Sequence, residues 1–385
     1  MANKADSTLI RTINDRLVYD LFVGGKLLSK PDVGKKTGLS KPAVLDVLGR
    51  LLAAGLIENA GVSAASRPGP SAELFRLVPT LGNVAAVALT PESVRVEIYT
   101  ITGKKLGSTE AAIQAEPTVQ DVAGVVGDAC AAAKVKLDSI GSTVMGVPGA
   151  VNPKTMEVSS WDLPSWTLNV EEEWTRYVPG AFACINEVDL RAVAEHDANP
   201  HLHHFVLIAL GQGIGASIMI GGELYRGAHG AAGELGYMPR TPSDLAPIAG
   251  HGEYSTGLQA FLGGNALVQL AREHGLAGET VQDCLAEAMA GTATGYVEAV
   301  SERIAMLLSI VGLVVDPEYL ILAGPVGIVG GQALVDKVQQ RIQSSSIPSP
   351  VSVRSTMVRD NAICAGAMAL ALETQRERAF TQCYA

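Results

Sequence analysis

Apolar positions along the first eighty residues recur at helical spacing and are broken by capping and turn residues. Leu17, Val18, Leu21 and Phe22 share one face of a helix predicted over residues 9–22, closed by Gly24-Gly25. Ser29 suits an N-cap with Pro31 in the first turn, and the short helix it starts stops at Gly38. Ser40 caps a second helix over residues 41–54, with Pro42 in its first turn. Val44, Val47, Leu48, Leu51 and Leu52 are spaced to pack that helix on its partners, which turns Lys41, Ala43 and Arg50 outward. Residues 58–79 then read as two short strands around a Gly/Ser/Pro tip. Helix, glycine turn, helix and hairpin together predict a winged helix-turn-helix.

Beyond residue 79 the pattern alternates between strands and helices, as in α/β proteins. Residues 84–112 read as a meander of two or three strands, followed by a helix over 118–134 and the strand and turn STVMGVPGAV. A further strand is predicted over 183–189, running into the helix LRAVAEH. Buried strands over 205–210 and 217–220 flank a loop holding Gly211, Gly213 and Gly215. Helices follow over 260–274 and 279–313, then a strand and glycine turn over 316–324 and a closing helix over 360–378 with small residues on one face.

Composition adds three constraints. The 385 residues are 48% hydrophobic, enough for two or three domains with cores of their own. No long uncharged apolar run suits a membrane span, and MANKADSTLI does not read as a signal peptide, so a cytoplasmic protein is expected. Five scattered cysteines without CxxC spacing argue against a disulfide framework or a cysteine-held zinc. The net charge of −10 is unevenly spread: residues 1–78 carry +4 and the remainder −14. A basic head on an acidic body suggests that the head alone meets a polyanion. Lys30, Lys35, Lys36 and Lys41 would contact phosphates, Ser40, Lys41 and Ala43 would reach base edges, Arg50 lies further along the same helix, and Arg67 would enter a minor groove. The competing reading of the head is a small helical protein-docking module.

Three glycines in five residues let backbone N–H groups approach a ligand, and equally suit a tight hairpin. The longer run, GQGIGASIMIGGELYRGAHGAAGELGYM, resembles the sugar-kinase-like domain of the ROK family of repressors and kinases. The head resembles the family's DNA-binding domain, including Arg11 and Asn14 of its first helix and Arg67-Pro68 of the wing. The resemblance implies a two-lobed actin/hexokinase-like (ribonuclease H-like) α/β domain behind the winged helix-turn-helix. Its divisions would be 1–78 for the head, 79–190 for the first lobe with the helix over 361–385 packed back on it, and 191–360 for the second lobe.

The resemblance also implies roles. Gly149 lies where the backbone approaches the sugar, Asp162 takes the place of a sugar-binding Asn, and Asn186 and Glu234 fall at sugar-binding positions. Glu187 stands where the family has its catalytic Asp, one methylene further out, and reads as a binding residue rather than a base. Ala88 replaces the Asp of the first phosphate motif, and Thr90-Pro91 its two glycines; Pro91 lacks an N–H donor. Tyr237 stands in place of the His that holds the sugar in the family and is counted with the ligand-binding residues; that His also binds zinc, and the family's three zinc cysteines are missing too, so no metal or other cofactor is expected. His251 and Glu253 lie nearby without a firm role.

The expectation is a repressor that binds an inverted repeat in double-stranded DNA as a homodimer or tetramer and answers to a sugar or sugar derivative, without kinase activity. An active ATP-dependent sugar kinase with a fused head is the alternative. A regulator whose acidic cleft holds a polyol, an amino sugar or nothing is the third reading.

Overall fold

The computed structural model describes residues 2–62, 72–160, 162–166, 170–245, 257–346 and 351–384. The head starts with α1 (Ala2–Asp20), β1 (Leu28–Ser29), α2 (Lys30–Thr37) and α3 (Lys41–Ala53), and ends with β2 (Ile57–Val62) and β3 (Glu73–Leu77). Both serine caps form. Ser29 and Asp32 make a reciprocal capping box on α2, Gly38 closes that helix in the left-handed conformation, and the Ser40 hydroxyl accepts the Ala43 N–H. Val18 and Tyr19 of α1, and Phe22 in the turn after it, pack with Val44, Val47, Leu48 and Leu51 of α3 over the sheet β1-β3-β2. The arrangement is consistent with a winged helix-turn-helix; residues 63–71, with Arg67 and Pro68, lie outside the described residues.

Three details differ from the expectation: Leu17, read on the packed face of α1, is 44% exposed. Leu52 is 39% exposed, because the α3 core face closes at Leu51. Arg50 does not face freely outward: its guanidinium pairs with Asp15 of α1, which is fully buried, and with Asp46.

The remainder repeats one topology twice. In the first lobe, β4 (Asn83–Leu89), β5 (Ser93–Thr100) and β6 (Lys105–Ala112) form an antiparallel meander, and α4 (Val119–Ala132) follows. Next come β7 (Ile140–Val147), the small hairpin of β8 (Ala150–Val151) and β9 (Val158–Ser159), the short α5 (Val170–Trp174), β10 (Ala181–Asn186) and α6 (Glu187–Ala198). β7 and β10 add to the sheet in parallel, giving the order β10-β7-β4-β5-β6.

The second lobe makes the same sheet from β11 (Phe205–Leu210), β12 (Ile214–Ile220) and β13 (Glu223–Tyr225), the helices α7 (Gln259–Leu262), α8 (Gly264–Glu273), α9 (Val281–Glu287) and α10 (Thr294–Val315), then β14 (Tyr319–Ala323), α11 (Gly324–Ser344) and β15 (Ser352–Ser355). Its order is β13-β12-β11-β14-β15. The closing helix is α12 (Ala362–Tyr384). The two long helices expected between residues 260 and 313 are each broken, at Gly263 and at Gly291, where φ is +100°. Among the described residues no helix is long and apolar enough to cross a membrane.

Strand alternation divides each sheet into two packed faces. Ala85, Val87 and Leu89 of β4 face α4, while Val84, Ala86 and Ala88 face α12. In the second lobe Val206, Ile208 and Leu210 face the α8–α11 layer, while Phe205 and Leu207 face Val188 and Ala192 of α6. Thus α6, which leaves the first sheet, covers the second, and α12, which leaves the second sheet, covers the first. The two helices cross where Gly366 meets the Leu190 backbone. The buried Glu195 carboxylate of α6 accepts hydrogen bonds from the Thr356 hydroxyl (2.7 Å) and the Met357 N–H (2.9 Å), tying the entry to α12 onto α6.

α12 continues into the head. Its 23 residues span roughly 33 Å at helical rise. Gln375 Nε2 donates to the Leu81 carbonyl (2.8 Å), Arg376 Nε to the Ile101 carbonyl (3.2 Å), and Tyr19 of α1 donates its hydroxyl to the Arg376 carbonyl (3.2 Å). Phe380 sits 5.3 Å from the Tyr19 ring and Arg16 pairs with Glu377, so one helix touches both the α6 crossing and the head.

Candidate functional site

Most of the cleft candidates cluster at the start of α6. The strand ends at Asn186 rather than at residue 189, because the Asn186 side chain caps the helix: its Oδ1 accepts the Val188 N–H (2.7 Å). Its Nδ2 donates to the Gly149 carbonyl (2.7 Å). Asn186 therefore fixes the β8 turn, and Gly149, at φ +99° and packed on Ser159 and Ser160, tolerates no side chain. Asp162 is exposed just beyond, its N–H donating to the Ser160 hydroxyl (3.1 Å). Glu187 is the first residue of α6, where the helix dipole favours a carboxylate, and pairs with Arg191 one turn on (3.1 Å).

Three residues that the sequence reading passed over complete the cluster. Asp189, nearly fully buried, accepts a hydrogen bond from the Ser217 hydroxyl (2.7 Å) and faces Arg226 at 3.5 Å. Nε and Nη2 of Arg226 have no hydrogen-bond acceptor among the described residues. The loop after Arg226 bends back through Gly230, against the Val151 carbonyl of the first lobe, and Gly233, against the Ala216 carbonyl of the second. It delivers Glu234 close enough to Asp189 for the two carboxylates to repel. Tyr237 follows and is 54% exposed. Asp189 and Arg226 were legible only as an acid on a helix and a base in a loop; their pairing is set by the sheet between them.

Burial raises the pKa of both Asp189 and Glu234, against the Ser217 hydrogen bond and Arg226 at Asp189 and reinforced by Asp189 at Glu234. A carboxyl whose folded pKa is raised stabilises the fold below its unfolded pKa and loses that contribution as pH climbs through the folded value. Glu234 is thus a burden at neutral pH. Glu234→Gln is expected to raise Tm at pH 7.5, with the gain shrinking toward pH 4, where the carboxyl is protonated in both states. Thermal unfolding at the two pH values checks this; a lower Tm at pH 7.5 would contradict it.

The glycine loop of residues 211–213 is a tight connection between β11 and β12. Gln259 holds it: its Oε1 accepts the Ile214 N–H (3.1 Å) and its Nε2 donates to the Gln212 carbonyl (2.8 Å). Beside it opens a cavity of about 860 Å³, lined by Glu92, Gln212, Asn265, Gln269, Arg272 and Pro325 among others. Among the described residues lining it Arg272 is the only cation, and its guanidinium already donates to the Leu276 and Gly278 carbonyls (2.7 and 2.8 Å). Ala88 lies in the apolar cluster under α12, and the turn holding Pro91 is closed by Thr90 and Ser93. His251 and Glu253 lie outside the described residues.

On the head, Lys35, Lys36, Ser40 and Lys41 are exposed, and Ala43 is half-buried. Lys30 is drawn to Glu73 (2.6 Å) and over the Phe75 ring, away from a free phosphate-contacting position. Leu45, 54% exposed one turn beyond Lys41 on α3, was read from the sequence as neither core nor contact; its spacing from Lys41 was the available signal.

The sequence pattern that defines the ROK family matches residues 86–374. A protein of Caldicellulosiruptor sp. strain Rt8B.4 with the provisional name of xylose repressor is 25% identical over 240 residues, 60% of this chain and 59% of its own length. The xylose repressor of Caldicellulosiruptor bescii is 21% identical over 242 residues, with the same shares. The chain therefore matches about three fifths of these relatives. Among solved structures, a ROK family transcriptional regulator described as a homologue of the E. coli MLC protein superposes with a TM-score of 0.75 at 20% identity, over 97% of this chain and 98% of its own. A Streptomyces griseus ROK glucokinase, solved with glucose and AMPPNP, reaches 0.61 at 20% identity, over 76% of this chain and all of its own. These likenesses establish the two-lobed fold, and with three quarters of its length matching the family pattern, the chain belongs to the ROK family.

Proposed function

We propose that the protein is a DNA-binding transcriptional repressor, released from its operator by a sugar or sugar derivative bound between the lobes, and that it does not transfer phosphate. The observation that carries this reading is the pairing of two features in one chain. The head presents α3 with its exposed N-terminal Ser40 and Lys41, and in the kinase-like domain Ala88 and Pro91 stand at the positions of the family's first phosphate motif, while Arg272 of the cavity is committed to backbone carbonyls. Phosphoryl transfer rests on positioned cations and metal; among the described residues lining the cavity the one cation is already committed, and position 88 of the chain is not an acid. The polar groups suited to hydroxyls are Glu187, Glu234 and Nη2 of Arg226, which has no hydrogen-bond acceptor among the described residues. The relatives named as xylose repressors favour a pentose or related sugar as effector.

Lys35, Lys36 and Lys41 would meet phosphates and Ser40, Ala43 and Leu45 base edges. An inverted repeat read by a homodimer follows from two-fold symmetry. Exposed apolar residues on α1 (Leu9, Ile10, Ile13, Leu17) and α10 (Met306, Leu313, Val314) favour self-association.

The alternative, an active sugar kinase, is favoured by the glucokinase-like fold. One preparation separates the two. Operator-containing DNA selected from the source genome is bound in a gel-shift or anisotropy assay, and a panel beginning with xylose is added. Release by one sugar, with no sugar-dependent ADP formation from ATP–Mg²⁺, is expected. Turnover in the usual kinase range of about 1–100 s⁻¹ would replace the proposal with the kinase reading.

A further inference from the structure

Four of the seven histidines fall within nine residues, His196, His201, His203 and His204, at the end of α6 remote from its cleft-facing start. We propose that His196 and His203 form a two-imidazole site for a borderline divalent transition ion such as nickel, copper(II) or zinc.

His196 Nδ1 lies 2.8 Å from the Leu202 carbonyl. A carbonyl only accepts, so Nδ1 carries the proton and Nε2 keeps its lone pair. An imidazole oriented by donating its other N–H to a carbonyl is in the arrangement that metal-bound histidines adopt. His204 is differently occupied: its Nδ1 accepts the Gly221 N–H (3.3 Å). The Gly222 N–H donates to the His203 carbonyl (2.9 Å). These two bonds hold the Gly221-Gly222 turn between β12 and β13 against residues 203–204.

Gly222 is what leaves room for an ion. Its φ of +82° and missing side chain keep the space beside it open, and a Cβ there would lie 3.2 Å from His203 Nδ1 and 3.4 Å from His196 Nε2. Both nitrogens thus border one small volume. The rings are 5.9 Å apart and tilted by 58°. His203 is exposed, so its side chain can turn to bring its nitrogen within the ~2.0–2.1 Å of a metal–imidazole bond. Imidazole pairs suit nickel, copper and zinc and not magnesium or calcium. Among the described residues no group of three or more His, Cys, Asp or Glu side chains is poised around an ion, so water completes the coordination. A bound ion would clip the end of α6 to the β12–β13 turn.

The test uses the full chain without a histidine tag, titrated with Ni²⁺ by calorimetry and followed by Tm. One equivalent bound, a rise in Tm and reversal by EDTA are expected. His203→Ala, an exposed change, should weaken binding at least tenfold, while His201→Ala should leave it intact. Cu²⁺ electron paramagnetic resonance should report two imidazole nitrogens in the parent chain and one in the His203→Ala variant. Absence of Ni²⁺ binding in the parent chain, full binding by His203→Ala, or equal loss in His201→Ala would each overturn the assignment.

Discussion

Gly366→Ala is expected to damage the protein more than any other single added methyl group on the helices. An added Cβ would lie 2.7 Å from the Leu190 carbonyl carbon and closer still to its oxygen, and these are backbone atoms of a helix that cannot rotate away. The α6–α12 crossing would have to open. Overpacking of this kind costs about 1–3 kcal/mol, and the upper end applies where backbone rather than a flexible side chain must yield. Glycines on the first-lobe helix supply the control. Gly124 and Gly127 of α4 have nothing within 4 Å of an added Cβ, so Ala there is expected to be neutral or to stabilise by up to ~1 kcal/mol through helix propensity.

The consequence of Gly366→Ala reaches beyond stability. α6 begins at Asn186 and Glu187 in the cleft, and α12 ends on Tyr19 and Arg16 of the head. If the effector acts by moving α6, the crossing is the mechanical link, and a variant that still folds should bind effector and DNA with the two events uncoupled. Chemical unfolding measures the first effect, and DNA affinity with and without effector measures the second. A Tm equal to that of the parent chain would show that the crossing is looser than its geometry implies.

What was legible in the sequence follows the range of the forces involved. Ser29, Asp32 and Ser40 act on N–H groups two or three residues away, so the caps of α2 and α3 could be read directly. The strand of residues 205–210 and the glycine turn after it are likewise local, and the family resemblance supplied the two-lobed order. The strand read over 183–189 takes in Asn186; only the fold reveals that its amide is occupied by Gly149 and by the first turn of α6. The breaks at Gly263 and Gly291 interrupt sequences whose apolar spacing carries straight through them. Asp189 with Arg226, Glu195 with residues 356–357, and α12 with the head are contacts between distant segments, and no periodicity announces them.

Arg50 shows the same limit and yields the second large effect. Its position on α3, in a basic head, reads as an outward-facing DNA-binding residue. In the fold Arg50 Nε donates to Asp15 (2.9 Å), a carboxylate with 0% exposure on α1, and the guanidinium also reaches Asp46. Arg50→Ala removes the guanidinium from that buried carboxylate, a change expected to cost about 3 kcal/mol. The loss is confined to the α1–α3 packing, so DNA binding should fail while effector binding between the lobes persists. Lys41→Ala should behave differently, lowering DNA affinity modestly and reducing the salt slope by about 1 with no change in Tm. A paired apolar replacement, Asp15→Leu with Arg50→Met, removes both charges together and should recover the Tm lost in Arg50→Ala, because a buried ion pair is replaceable by well-packed apolar groups where a lone buried charge is not tolerated. If the paired variant regains Tm and DNA binding together, Arg50 acts through the fold of the head. If Tm returns and DNA binding does not, the guanidinium touches DNA as well, and the sequence reading of Arg50 would stand beside the structural one.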